Sequence, residues 1–304
     1  MRPQQQNNPL LAGQWMLIGM IVIGLVDNFV GHMADHVGLW QFFLVRMFMT
    51  FPLIYLMSRI GLGTIYPKQL WRVMTRGALV AMAMVFYFGS LAFLPISQAL
   101  AGLFTSPIFV LLISVFLLKK PVGKWRIIAV LVGFVGIVVV TGASFSAMGW
   151  ASLLPLAAGV FYAFGVVATR ELCEEESTLT MVWSMYVMQG VYAVIAMIAL
   201  WIVDPIVPLG SGGFLLRGWV WDLSPVIWII VALTVGSTIG VFFIVKAYQV
   251  AEATYAAVFE YSVFIFGPLF AFMLWGQGVS GSEVVGIVLI ALAGIIIAFR
   301  SPTA

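Results

Sequence analysis

Apolar runs longer than about 18 residues recur along the whole of this 304-residue chain. A bilayer core about 30 Å thick selects runs of this length, because an α-helix rises about 1.5 Å per residue. Apolar residues make up 63% of the chain and charged residues 8%, against roughly 25% charged residues in a soluble domain. The pattern predicts an all-α polytopic membrane protein, with no room for a separate soluble catalytic or nucleic-acid-binding domain.

Ten membrane-crossing helices are predicted from the apolar runs and the charged or turn residues that bound them. They lie at about 13–31, 37–57, 74–94, 97–117, 124–142, 151–170, 180–203, 226–246, 253–275 and 282–299. The longest connection, about 204–224, is rich in proline and glycine and then carries Trp219 and Trp221. This composition predicts a loop followed by an interfacial tryptophan anchor.

Lysine and arginine are distributed unevenly between the two sides of such a bundle. If the N-terminus is inside, Arg217 is outside, Arg46 falls within a helix, and the other twelve of the fourteen basic residues are inside. These twelve are Arg2, Arg59, Lys68, Arg72, Arg76, Lys119, Lys120, Lys124, Arg126, Arg170, Lys246 and Arg300. Because basic residues are retained on the cytoplasmic side, both termini are predicted to be cytoplasmic, in a membrane of the bacterial inner-membrane type.

The two halves of the chain are similar to each other. Ser97–Val122 aligns without gaps on Thr254–Val279, at a shift of 157 residues, with six identities in 26 positions. The loop after the fourth helix is basic, whereas the matching loop at 276–283 has no lysine or arginine, so the two loops are expected on opposite sides. We therefore predict two inverted five-helix repeats, 1–145 and 146–304, an arrangement that transporters use.

Several short motifs in both halves are typical of one transporter family. They are Leu94–Ala99, Ser106–Phe109, Leu118–Lys120, Trp125–Arg126, Val132–Gly136, Phe259–Ser262, Trp275–Gln277 and Gly286. With them the chain resembles the drug/metabolite transporter superfamily, in particular its EamA-type members with ten helices. Arg46 stands where many members carry an arginine, whereas Lys120 and Gln277 stand where members usually carry glutamate. The resemblance implies secondary transport of a small metabolite, often export.

Three charged residues fall within or near the ends of predicted helices: Asp27, Arg46 and Glu260. A charge inside the membrane costs about 2.5–3.5 kcal/mol on insertion scales, so such residues usually face a cavity or a partner. We interpret Arg46 as a ligand for the anionic end of a substrate or a partner for an acid, and Glu260 and Asp27 as candidates for proton coupling. The alternative is a set of structural ion pairs, or a hydrated Asp27.

Polar and aromatic side chains inside the predicted helices are candidates to line a substrate cleft. The predicted substrate-binding residues are Arg46, Tyr87, Gln98, Ser106, Tyr162, Trp183, Ser237 and Tyr261, with Asn28 and Tyr186 nearby. Such residues also hold membrane helices together, which is the alternative role for each of them. Pro107 and Pro268 lie inside predicted helices and are expected either to permit bending or to form static kinks.

No pattern of catalytic or metal-binding residues emerges. His32 and His36 are four apart but lack the glutamate of the zinc-protease motif, so we expect a hydrated loop and no metal or cofactor. The acidic neighbours of Cys173 are expected to raise its pKa and keep it unreactive. Glu174–Glu176 are interpreted as a solvated cytoplasmic loop.

The sequence therefore favours a secondary transporter without enzymatic activity. Its predicted partners are a small-molecule substrate and membrane lipid, not nucleic acid, and it is expected to act as a monomer. Tyrosine and tryptophan side chains, together with the family resemblance, favour export of amino acids, aromatic ones included. A vitamin or a nucleotide-like metabolite is the alternative substrate, and a membrane-embedded enzyme or a channel is the alternative class.

Overall fold

The computed structural model describes residues 8–94, 96–141, 150–276 and 278–300, so Arg2 and Gln277 lie outside the described residues. Within these ranges the regular structure is helical. The α-helices are α1 Pro9–Asp27, α2 Val30–Ala34, α3 Leu39–Arg59, α4 Leu70–Ser90, α5 Ile96–Leu103, α6 Ser106–Leu112, α7 Lys124–Thr141, α8 Leu153–Glu171, α9 Thr178–Val203, α10 Ile227–Val250, α11 Ala253–Glu260, α12 Val263–Trp275 and α13 Gly281–Arg300.

Eight helical segments of the described residues are long and apolar enough to cross a membrane. Six are α1, α3, α4, α8, α9 and α10, and the other two are composite segments, Gln98–Leu117 and Ala253–Trp275. A shorter apolar helix covers Gly281–Ile296. These spans agree with the predicted all-helical polytopic membrane protein.

Two helices predicted as continuous are broken near their middle. The predicted helix at 97–117 consists of α5, α6 and a π-helical turn at Ile113–Leu117, and the one at 253–275 consists of α11 and α12. At each break a hydroxyl donates to the carbonyl oxygen three residues earlier: Thr105 to Gly102 at 2.6 Å, and Ser262 to Phe259 at 2.7 Å. Such local bonds compete with the helical pattern and bend it.

The prolines in these segments do not coincide with the breaks. Pro107 lies in the first turn of α6, where a missing backbone N–H costs little, and Pro268 lies inside α12. The two breaks, at Phe104–Thr105 and Tyr261–Ser262, are 157 residues apart, which is the shift that aligns the two halves of the sequence.

Glycines let several helices approach closely. A Cβ atom on Gly159 of α8 would lie 2.9 Å from the carbonyl oxygen of Gly102 in α5. A Cβ on Gly136 of α7 would lie 2.9 Å from the carbonyl oxygen of Gly286 in α13. Small residues at such crossings allow backbone-to-backbone packing, which replaces the hydrophobic driving force that is absent between helices in lipid.

The predicted loop at 204–224 closes one end of the bundle. The Leu39 N–H donates to the carbonyl oxygen of Phe214 at 2.8 Å, and the Gln41 amide bonds both the N–H and the carbonyl of Val220. Arg217 in this loop donates to the carbonyl oxygen of Ala34 at 3.0 Å. The start of α3 and the loop are therefore a single packed unit.

At the opposite end, in the segment that joins α8 to α9, Glu175 is exposed as predicted, whereas Glu176 is buried. Glu176 is only 6% exposed, and its two carboxylate oxygens accept the backbone N–H groups of Lys68 and Gln69 at 2.8 and 2.7 Å. These are the free donors ahead of α4, which a carboxylate can satisfy. Nearby, burial raises the pKa of the Cys173 thiol to about 11, with a smaller contribution from Glu176, so burial more than the acidic neighbours accounts for the unreactive thiol.

We expect Glu176→Gln to lower the thermal unfolding midpoint of the detergent-solubilised protein. The amide retains one acceptor oxygen for two N–H groups, and a hydrogen bond to a charged group is worth about 1.5–3 kcal/mol. Glu175→Gln is the matched control, because the Glu175 side chain is 74% exposed and pairs with Lys68 at the surface. Equal midpoints for the two variants, measured by tryptophan fluorescence, would contradict the structural role of Glu176.

Candidate functional site

A central cavity of about 820 Å³ lies between seven helices, and its volume includes the part open to solvent. Its lining is Met20, Ile23, Asp27, Arg46, Arg76, Val80, Met84, Tyr87, Phe88, Leu100, Leu103, Phe104, Tyr162, Met185, Gln189, Ser237, Val241 and Ile244. Most of these side chains are apolar, and the few polar ones include both signs of charge. This is the composition of a site for a small organic molecule.

Four of the predicted substrate-binding residues line this cavity. They are Arg46 of α3, Tyr87 of α4, Tyr162 of α8 and Ser237 of α10. The coupling candidate Asp27, at the end of α1, lines it as well. Residues far apart in sequence therefore meet at one site.

The other four predicted substrate-binding residues do not line this cavity. Gln98 is exposed, and Ser106 is buried in the first turn of α6. Trp183 packs on a separate apolar cluster, and the Tyr261 ring is fully buried against Gly133 of α7. Gln98, Ser106 and Trp183 lie on helices whose rotation directs them elsewhere, and Tyr261 lies at the break between α11 and α12.

Arg46 is held in place by hydroxyl groups and aromatic rings. Its Nη2 donates to the Tyr186 hydroxyl at 3.2 Å and to Ser237 Oγ at 2.6 Å. The guanidinium lies 4.8 Å from the centroid of the Phe42 ring and 5.1 Å from that of Tyr186. Hydroxyl oxygens and ring faces stabilise a buried cation without neutralising it, so Arg46 keeps its charge available to the cavity.

Glu260 lies behind the cavity wall. It is the last residue of α11, it is fully buried, and the Tyr162 hydroxyl donates to its Oε1 at 2.7 Å. The Tyr248 hydroxyl lies beside the same carboxyl group. Among the described residues Glu260 forms no ion pair with Arg46, and its hydrogen bond comes instead from Tyr162, which lines the cavity.

Two polar residues of the cavity were not among the candidates from sequence. Arg76, assigned to the basic cytoplasmic set, is only 3% exposed and donates to Thr169 Oγ1 at 2.9 Å and to the Met181 carbonyl oxygen at 3.1 Å. Gln189 is fully buried in the middle of α9. The sequence could have identified both residues from their positions within apolar runs, because polar residues in such runs usually face protein or a cavity.

The remaining polar candidates have structural contacts. The Asn28 side chain donates to the carbonyl oxygens of Gly24 and Gly267 at 2.7 and 3.3 Å. His32 stacks on Trp275 with centroids 5.4 Å apart, and the His36 ring bonds the His32 carbonyl oxygen. In the described part of the chain, no three His, Cys, Asp or Glu residues form a group that could hold a metal ion.

The cavity carries two guanidinium groups and one carboxylate in an otherwise apolar wall. Such an arrangement can bind a solute that carries an anionic group, a cationic or hydrogen-bonding group and an apolar body.

Comparison with known proteins finds several named transporters. A riboflavin transporter from Rhizobium johnstonii is 23% identical over 300 residues, covering 96% of this chain and 92% of its own length. The pseudopaline exporter CntI from Pseudomonas aeruginosa is 26% identical over 79% of each chain. An S-adenosylmethionine uptake transporter from Rickettsia prowazekii is 21% identical, covering 94% of this chain and 91% of its own length.

The fold and the family are shown by two further matches. A solved crystal structure superposes with a TM-score of 0.70 at 18% identity, over 95% of each chain, which shows the same fold. The EamA-like transporter family matches two segments, residues 10–142 and 149–299, which together include nearly the whole chain. The chain therefore belongs to the EamA-like transporter family, within the drug/metabolite transporter superfamily.

Proposed function

We propose that this member of a family of small-metabolite transporters is a secondary transporter that exports amino acids, aromatic ones included, by alternating access. The observation that carries the proposal is the central cavity, where Arg46, Arg76 and Asp27 face a largely apolar space. A guanidinium and a carboxylate complement the carboxylate and ammonium of an amino acid, and the apolar wall suits its side chain.

The printed names of the relatives support a wider substrate class as the alternative. They refer to riboflavin, pseudopaline and S-adenosylmethionine, and they include both an exporter and an uptake transporter. A vitamin or a nucleotide-like metabolite is therefore the second candidate for this cavity. A membrane-embedded enzyme is disfavoured, because His32 and His36 have structural contacts and do not line the cavity.

We also propose ten crossings arranged as two inverted repeats, 1–145 and 146–304. The two family matches, one in each half, support this division. The two helix breaks, each with a hydroxyl bonded three residues back, support it independently. With α7 and α13 as the two further crossings, the asymmetry of basic residues favours cytoplasmic termini in the inner membrane.

Ion pairs across the proposed halves support alternating access. Lys120 Nζ lies 2.5 Å from Glu171 Oε1, and Arg126 bonds the Glu252 carboxylate and the Thr254 hydroxyl. Both basic residues lie in the first half and their partners in the second, at the end opposite the 204–224 loop. Separating the halves at this end requires these pairs to break, whereas the cavity itself contains no such link between charged side chains.

Purified protein in proteoliposomes is expected to transport a solute from a panel of proteinogenic amino acids, riboflavin and S-adenosylmethionine. Counterflow of a labelled solute distinguishes the classes, because only a transported compound exchanges. Exchange of amino acids alone supports the leading proposal, and exchange of riboflavin or S-adenosylmethionine alone supports the alternative. Absence of exchange for every compound, with correctly inserted protein, would contradict the proposed function.

Arg46→Ala is expected to reduce transport at least about tenfold. Arg46→Lys is expected to reduce it to a similar degree. A lost charge-assisted hydrogen bond costs about 1.5–3 kcal/mol, and lysine cannot reproduce the planar stacking between two rings. Arg59→Ala is the matched control, because Arg59 lies at the exposed end of the same helix beside Tyr55. Normal transport by well-expressed Arg46→Ala would show that transport does not require Arg46.

Glu260 is proposed as the proton carrier that couples transport to the proton gradient. Its carboxyl group is fully buried and is joined to the cavity by the Tyr162 hydroxyl, so protonation can respond to the state of the cavity. Glu260→Gln is expected to keep solute exchange and to lose accumulation driven by an imposed pH gradient. Asp27→Asn tests the second coupling candidate in the same assay. Retained accumulation in Glu260→Gln would exclude Glu260 as the proton carrier.

A further inference from the structure

Gln189 differs in its hydrogen bonding from buried Gln41 and half-buried Gln249. Gln41 bonds Val220 with both its amide nitrogen and its amide oxygen. Gln249 likewise donates to the Glu176 carbonyl oxygen and accepts from the Thr178 hydroxyl. Gln189 is fully buried, and within the described residues neither its Nε2 nor its Oε1 has a partner. Burying an amide without hydrogen bonds destabilises the folded protein, so the unpaired side chain of Gln189 needs a physical explanation.

The position of Gln189 at the cavity explains its unpaired amide. Gln189 lines it, and two other polar atoms of the same lining, the Tyr87 hydroxyl and Arg46 Nε, are also buried and unpaired among the described residues. One helical turn before Gln189, Tyr186 is bonded to Arg46 and Thr238. That contact fixes α9 at this level, so the amide is held at the cavity and is not free to turn towards lipid.

We infer that Gln189 recognises the transported solute through an adjacent hydrogen-bond donor and acceptor on that solute. A primary carboxamide, a lactam or a heterocyclic imide presents such an edge and can pair with both atoms of the Gln189 amide. A solute without the donor leaves the Gln189 oxygen unpaired in a buried site, which weakens binding. The inference rests on the proposed function, since it assigns a residue and a chemical feature to the same site.

Two matched pairs of probes test the inference with the purified full-length protein. L-glutamine is compared with the γ-methyl ester of L-glutamate, and riboflavin with 3-methylriboflavin; each second compound retains an acceptor and lacks the N–H donor. Binding is measured by isothermal titration. In the wild type, the donor-bearing member of at least one pair is expected to bind at least about tenfold more tightly than its blocked analogue. A difference within the glutamine pair identifies a carboxamide as the recognised group. A difference within the riboflavin pair identifies an imide.

Gln189→Leu should remove this discrimination without loss of folding. Leucine is close in size and has no polar atoms to leave unpaired, so the ligand-free variant should unfold at the same or a higher temperature than the wild type. Gln249→Leu is the matched control, because it breaks two existing hydrogen bonds away from the cavity. It should lower the unfolding temperature and leave the preference within each pair unchanged.

Three results would overturn the inference while leaving the proposed function intact. One is equal binding of both members of each pair by the wild type, and another is an unchanged preference in Gln189→Leu. The third is wild-type protein that transports other solutes of the proteoliposome panel but binds neither L-glutamine nor riboflavin. A protein that exchanges no solute at all would overturn the proposed function, and this inference with it.

Discussion

The structure depends on one constraint: polar groups inside an apolar bundle must find their partners within the protein, because lipid offers none. The two broken helices show how the backbone meets it. At each break, the carbonyl oxygen of Gly102 or Phe259 accepts both the backbone N–H and the hydroxyl of the residue three positions later, Thr105 or Ser262. The breaks can therefore lie deep in the bundle, and the first of them brings Phe104 to the cavity wall.

The same constraint organises the charged side chains. Arg46, Arg76 and Glu260 are nearly or fully buried, and each is bonded by neutral groups: hydroxyls for Arg46 and Glu260, and a hydroxyl and a carbonyl oxygen for Arg76. Neutral partners stabilise a charge without cancelling it. The guanidinium groups of Arg46 and Arg76 therefore keep their charge next to the cavity.

The two ends of the bundle are held by different interactions. At one end, backbone and amide hydrogen bonds attach the 204–224 loop to the start of α3. At the other, the pairs Lys120–Glu171 and Arg126–Glu252 join side chains that are partly exposed. Both pairs join the proposed first and second halves, so they would have to break if the halves separated at this end.

The sequence by itself determined the class of fold, because runs of about twenty apolar residues have few stable alternatives to membrane-spanning helices. It also placed most helices within a few residues, although it missed the two breaks, and it identified Arg46, Tyr87, Tyr162 and Ser237 as polar positions in apolar runs. Only the tertiary structure decided which of those positions meet. Arg76 and Gln189 face the cavity, whereas four predicted residues do not line it: Gln98, Ser106, Trp183 and Tyr261. The direction of a side chain depends on helix rotation and on where a helix breaks, and the apolar pattern of the sequence fixes neither.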